Sequence, residues 1–84
     1  MNETEWNRTD WRNVKEELPG YGGAVCVCKE KNGRIWEGMV FHRTRDKSLS
    51  KDFFTSHGRA FDYDYFESWM YLTGYKKLLQ LQNL

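Results

Sequence analysis

Few side chains in this sequence have the type and spacing to do chemistry, and the most suggestive are cations set among aromatic rings. The stretch His42-Arg43-Thr44-Arg45-Asp46-Lys47 follows an aromatic segment and precedes Phe53-Phe54, with Lys51 and Arg59 not far along. A guanidinium grips phosphate oxygens through a bidentate fork, and a neighbouring ring offers a flat face to a base. Arg43 and Arg45 are two apart, so an extended backbone presents both to one side. The chemistry this pattern suits is binding of a nucleotide-type ligand, with Arg43 and Arg45 on phosphate and Trp36, Phe53, Phe54 and Tyr63 as stacking rings. A solvated loop of alternating charge has the same composition and is the plainer reading.

The remaining reactive groups point away from catalysis. His42 and His57 lie in no Ser or Cys nucleophile context. Asp62 and Asp64 stand two apart and could hold a metal or form an acid–base pair. No third acidic ligand stands at a fixed spacing, and the wet side of an alternating strand accounts for both. Cys26 and Cys28 have no further Cys to join them, and His42 and His57 are the only His in the chain, so four zinc ligands at recognisable spacing are lacking. On a strand they point the same way roughly 6–7 Å apart, too far for an easy disulfide. They are expected to be free, buried thiols that bind no metal, which fits a cytoplasmic protein. Phosphate-loop and dinucleotide fingerprints are absent from the sequence. The expectation is a non-enzyme without a cofactor.

The elements that must position these groups are short. Ala24 to Lys29 is the clearest strand, centred on Val25 and Val27. Lys31-Asn32-Gly33-Arg34 follows, and Asn-Gly between two strand-like runs signals a type I′ hairpin turn with positive φ at both central residues. Such a turn sets Lys31 against Arg34, Lys29 against Trp36, Val27 against Gly38 and Val25 against Val40. Both faces of that hairpin then carry apolar side chains, so a helix, a barrel closure or a second subunit is needed to cover one of them. Trp11, Val14 and Leu18 form a helical stripe that Asp10 caps and Pro19-Gly20 ends. Phe53-Phe54 belongs to a third strand, and His57-Gly58-Arg59 is a turn. Residues 60–65 alternate as a strand, residues 66–72 form another, and Thr73-Gly74 breaks it. Trp69 and Met70 fall on opposite faces, one inward and one outward. Residues 75–84 carry four leucines and good helix formers. The expected fold is α+β: a small antiparallel sheet of four to five strands with short flanking helices, in one domain over residues 1–84. Residues 1–10 are a polar arm, 11–72 the core and 73–84 a helical tail.

Composition bounds the rest. The chain has 84 residues, 13 Lys+Arg against 12 Asp+Glu, and four Trp, five Tyr and five Phe. A net charge of +1 argues against a protein held on single-stranded nucleic acid by charge, because several phosphates would need neutralising. The apolar runs are too short to span a membrane, and the acidic start Met1-Asn2-Glu3-Thr4-Glu5 is unlike a secretion signal.

Trp11-Arg12-Asn13-Val14, then Leu18-Pro19, then the strand Val25-Cys26-Val27, and finally Trp69-Met70-Tyr71-Leu72 together resemble the domain of unknown function 551 family. Its members are small proteins of phages, prophages and other mobile elements, patterned W-x-x-V, L-P, V-L-V and W-M-P-L-P. The resemblance covers residues 11–72. It departs at the closing prolines, which Tyr71 and Thr73 replace, and in the tail beyond Leu72. The family supplies no catalytic residues to carry over. What it implies is a setting: a phage or mobile-element protein in the cytoplasm of a bacterial host cell. In that setting the expected function is sequestration of a nucleotide-type immune signal, by a small β-rich homo-oligomer. The alternative is a protein-binding inhibitor of a host defence enzyme or CRISPR-type complex, using aromatic surface as its hot spot. A nucleotide binder needs a concave aromatic pocket with convergent arginines; a protein inhibitor needs a flat or protruding apolar patch.

Overall fold

The computed structural model describes residues 6–20, 22–41 and 52–83. The elements are β1 (Arg12–Asn13), β2 (Val25–Lys29), β3 (Ile35–Phe41), β4 (Phe53–Ser56), β5 (Arg59–Phe61), a 3-10 turn at Tyr63–Tyr65, β6 (Ser68–Tyr71) and helix α1 (Leu72–Gln82). The strands form one sheet in the order β1-β6-β2-β3-β4-β5. Every pairing is antiparallel. This is an α+β fold with six strands, not four to five.

The β2–β3 hairpin turns at Asn32-Gly33, but not through a two-residue type I′ turn. Gly33 N–H donates to the Glu30 carbonyl at 2.9 Å, and Glu30 N–H donates to the Arg34 carbonyl at 2.8 Å. Only Gly33 takes positive φ, +93°. The loop is therefore three residues, a type I turn closed by a left-handed glycine. Asn32 Oδ1 accepts from Arg34 N–H at 2.9 Å and fixes the exit. The register shifts by one residue from the expected pairing: Val25 faces Met39, Cys26 faces Gly38, Val27 faces Glu37 and Cys28 faces Trp36. A one-residue slip exchanges the faces of the returning strand. The two-residue turn with positive φ at both positions is instead at His57 and Gly58, between β4 and β5.

One face of the sheet is the core. Cys26, Cys28, Trp36, Val40, Phe54, Phe61, Trp69 and Tyr71 line it, and Val14, Tyr63 and Phe66 close over it. Phe54 meets Phe66 edge-on at 5.4 Å, and Phe61 meets Phe66 at 5.5 Å. Full burial of one such ring is worth about 1.5–3 kcal/mol. Gly38 lies on this face where β3 and β4 close up. A Cβ there would run into the Thr55 carbonyl and the Phe54 ring, so the glycine permits a close approach of two strands.

Residues 11–18 do not form the expected helix. Arg12–Asn13 pairs with β6, and the chain then turns, with Glu16 and Glu17 N–H groups both donating to the Asn13 carbonyl. Val14 is core, whereas Leu18 is exposed and Pro19 takes the buried place. Trp69 explains the arrangement: its indole N–H donates to the Glu17 carbonyl at 2.8 Å, and Arg12 stands 5.1 Å over its ring while pairing with Glu17. Asp10 is not a helix cap; it accepts a forked pair from Arg8, which holds its carboxyl below the usual range. Trp6 packs on the core beside Tyr71, at 4.8 Å.

On the second face, Val27 and Met70 pair across β2 and β6 and are both buried. Helix α1 packs against these two strands, and Tyr75 meets Trp11 at 5.8 Å. Met70 is therefore covered rather than outward, and Trp69 and Met70 are both interior. Thr73 and Gly74 lie within α1 rather than ending the strand, because the helix backbone passes so close to the Arg8 carbonyl that only glycine fits.

Candidate functional site

The helix covers only the β2–β6 side of the second face. Beyond it, β3 runs Ile35, Glu37, Met39, Phe41 along that face, and all four are exposed. Val25 pairs with Met39, and Phe41 pairs with Phe53. The Phe41 and Phe53 rings stack in parallel, 4.9 Å apart with 1° between their planes. Val25, Met39 and Phe41 are 39%, 42% and 36% exposed. A contiguous apolar strip results, with Glu37 as a charge set into it and Thr55 and Ala60 continuing the surface as a shallow, open groove. The strip follows from the register: with Cys28 opposite Trp36, the odd-numbered residues of β3 fall on the uncovered side.

The expected site residues are divided between two faces. Phe53 is on the strip, half-buried, with its ring against Phe41. Phe54 is fully buried in the core. Tyr63 is also core, its hydroxyl donating to the Phe53 carbonyl at 3.4 Å, and burial pushes its pKa well above the usual phenol value. Trp36 sits at the rim of the core face; its indole N–H donates to Glu30 Oε2 at 2.6 Å, and Arg34 lies 4.4 Å over its ring. Trp36, Phe54 and Tyr63 thus share the core side, and Phe53 faces the other way. Arg43 and Arg45, with His42, lie outside the described residues. In the sequence, both arginines lie between Phe41 and Phe53, the two residues whose rings stack.

The other groups with chemical potential are arranged structurally. Cys26 and Cys28 are free and wholly buried. Burial pushes the Cys26 thiol up to about 12 and raises Cys28 further. Asp62 and Asp64 do not share a strand face: β5 ends at Phe61, and Asp64 belongs to the 3-10 turn. Among the described residues, no three His, Cys, Asp or Glu side chains gather as metal ligands. No helix among them is long and apolar enough to cross a membrane.

Val25, Met39 and Phe41 did not stand out in the sequence as surface residues because the assumed turn placed β3 one residue out. A plain period-two reading of Ile35, Glu37, Met39 and Phe41 on one face contained the signal. Comparison with protein-family models, curated proteins and solved structures finds no match to the chain.

Proposed function

We propose that the protein is a non-catalytic binding protein that works through the strip Val25, Met39, Phe41 and Phe53, as a protein-binding inhibitor in the phage or mobile-element setting. The observation that supports this is the strip itself: Val25, Met39 and Phe41 exposed in a row on the sheet, with half-buried Phe53 stacked on Phe41. Contiguous exposed apolar side chains rimmed by polar residues are the form an interaction site takes. Four side chains cover only part of the roughly 800 Å² per partner of a standard stable interface. The strip therefore suits the apolar centre of a contact with a partner protein, whose rim Glu37 and the flanking polar side chains supply. Self-association, expected from the sequence, would use the same strip.

Sequestration of a nucleotide signal is the second reading, favoured by the stacked Phe41–Phe53 pair, between whose positions the sequence carries Arg43 and Arg45. The core position of Phe54 and Tyr63 weighs against a deep aromatic pocket built from the rings singled out in the sequence.

The test is a plating assay in bacterial strains that each carry one defence system, with the protein expressed from a plasmid. Wild type should raise phage plating on at least one strain. Met39→Lys with Phe41→Lys should abolish the rise at unchanged abundance and Tm, and Arg43→Ala with Arg45→Ala should leave it intact. Loss confined to the arginine variant, with a Tm rise on adding a cyclic dinucleotide or ADP-ribose derivative, would favour the nucleotide reading. No rise on any strain contradicts the anti-defence role.

A further inference from the structure

A second surface lies on the other side of the sheet, at the end where both tight turns meet. The register brings the His57-Gly58 turn alongside Glu37 and Gly38: Met39 faces Thr55, and Ser56 Oγ donates to the Glu37 carbonyl at 2.6 Å. The Lys31-to-Gly33 turn closes the same end of β3. Two arginines emerge there on the rim of the core face. Arg34 stands 4.4 Å over the Trp36 ring, and Arg59 stands 5.0 Å over the Phe61 ring. The two rings touch, with centroids 5.3 Å apart. His57, held at φ +52°, sets its imidazole 5.8 Å from Trp36. Tyr65, 48% exposed, lies 5.2 Å from Phe61.

We infer that Arg34 and Arg59 form a binding site for a small phosphate-bearing ligand of the nucleotide class, with Tyr65 as the exposed ring beside it. The physical argument has three parts. A guanidinium resting on an aromatic face is fixed in plane, while its N–H edges remain directed outward for a bidentate contact with phosphate oxygens. The side chain is thereby ordered before the ligand arrives, which lowers the entropy lost on binding. The opposing acid is largely occupied: Glu30 Oε2 accepts the Trp36 indole N–H at 2.6 Å and reaches Arg34 only at 4.0 Å, while the Arg34 side chain is 65% exposed. Arg59 makes no ion pair among the described residues. Tyr65 offers the sequence-tolerant stacking surface that bases use. None of this involves the apolar strip, so the inference is independent of the proposed protein partner.

The experiment follows the arginine Nε–H resonances and backbone amides by ¹⁵N NMR while titrating inorganic pyrophosphate, ADP and adenosine in turn. Pyrophosphate and ADP should shift Arg34 and Arg59, ADP should also shift Tyr65, and adenosine alone should do neither. Arg34→Ala and Arg59→Ala should each weaken ADP about tenfold, about 1.4 kcal/mol. Arg59→Lys keeps the charge but loses the fork, so it should recover only part of the affinity. Each variant is used after its Tm and amide spectrum show the wild-type fold; if Arg34→Ala unfolds by losing its place on Trp36, Arg59→Ala and Arg59→Lys carry the test. The inference fails if neither phosphate compound shifts these residues at millimolar concentration, or if the shifts centre on Lys76 and Lys77. It also fails if Arg59→Lys binds as tightly as wild type, or if a single-stranded oligonucleotide binds while ADP does not.

Discussion

Burial governs how Cys26 and Cys28 behave. Both thiols are wholly enclosed, and desolvation disfavours the thiolate, holding Cys26 at about 12 against an ordinary 9.0. Well below pH 9 the thiols are protonated whether the chain is folded or not, so they leave stability unchanged. Above it the unfolded chain releases protons that the folded one retains, and stability falls as pH rises towards the folded value. Cys28, shifted the same way, and Tyr63, raised from an ordinary 10.0, act in the same direction. Tm should therefore decline from pH 9 to 10.5, beyond the decline of a Cys26→Ala, Cys28→Ala variant, and iodoacetamide at pH 8 should alkylate both thiols only in denaturant. Equal pH profiles, or alkylation of the native protein, would count against the burial. The thiols were legible from their spacing and the shortage of ligands around them. Phe54 and Tyr63 were not, because an aromatic side chain reads alike in a core and in a pocket until the opposing strand is placed.

At the scale of elements, α1 depends on an approach that propensity opposes. Alanine is favoured over glycine in a helix by about 1 kcal/mol. At position 74 the added methyl would meet the Arg8 carbonyl, with the Trp6 carbonyl close by. Overpacking costs about 1–3 kcal/mol, so Gly74→Ala should lower stability by up to about 2 kcal/mol in urea unfolding, whereas exposed Thr73→Ala should be neutral or slightly stabilising. A stabilised Gly74→Ala would mean that residues 6–8 do not pack on the helix. The same glycine hid the helix start in the sequence, where Thr73-Gly74 looked like a break. The hairpin was legible in place but not in register, since Asn32-Gly33 satisfies both a two-residue turn and a three-residue turn with one left-handed glycine. Residues 60–65 alternate as a strand should, yet Asp62 ends the pairing and Tyr63 tucks inward through a 3-10 turn. β1 has only two paired residues, too few for any periodicity to announce it.

For the whole molecule, the α+β class was readable from the strand-like runs and the helix-forming tail, and the need to cover a second face from the apolar residues on both sides of β2 and β3. How far α1 covers that face was not, because it depends on where a short helix lands after β6. The account turns on which side chains are left open: Met70 lies beneath the covered half and Met39 on the free strip. These two methionines make the claim measurable without knowing the partner. With the Met methyl groups labelled with ¹³C, a soluble gadolinium chelate should strongly broaden the Met39 methyl of the dilute protein and leave that of Met70 sharp. Protection of Met39 to the level of Met70 would mean that the strip is already covered, and would contradict the assignment of this face as the working surface.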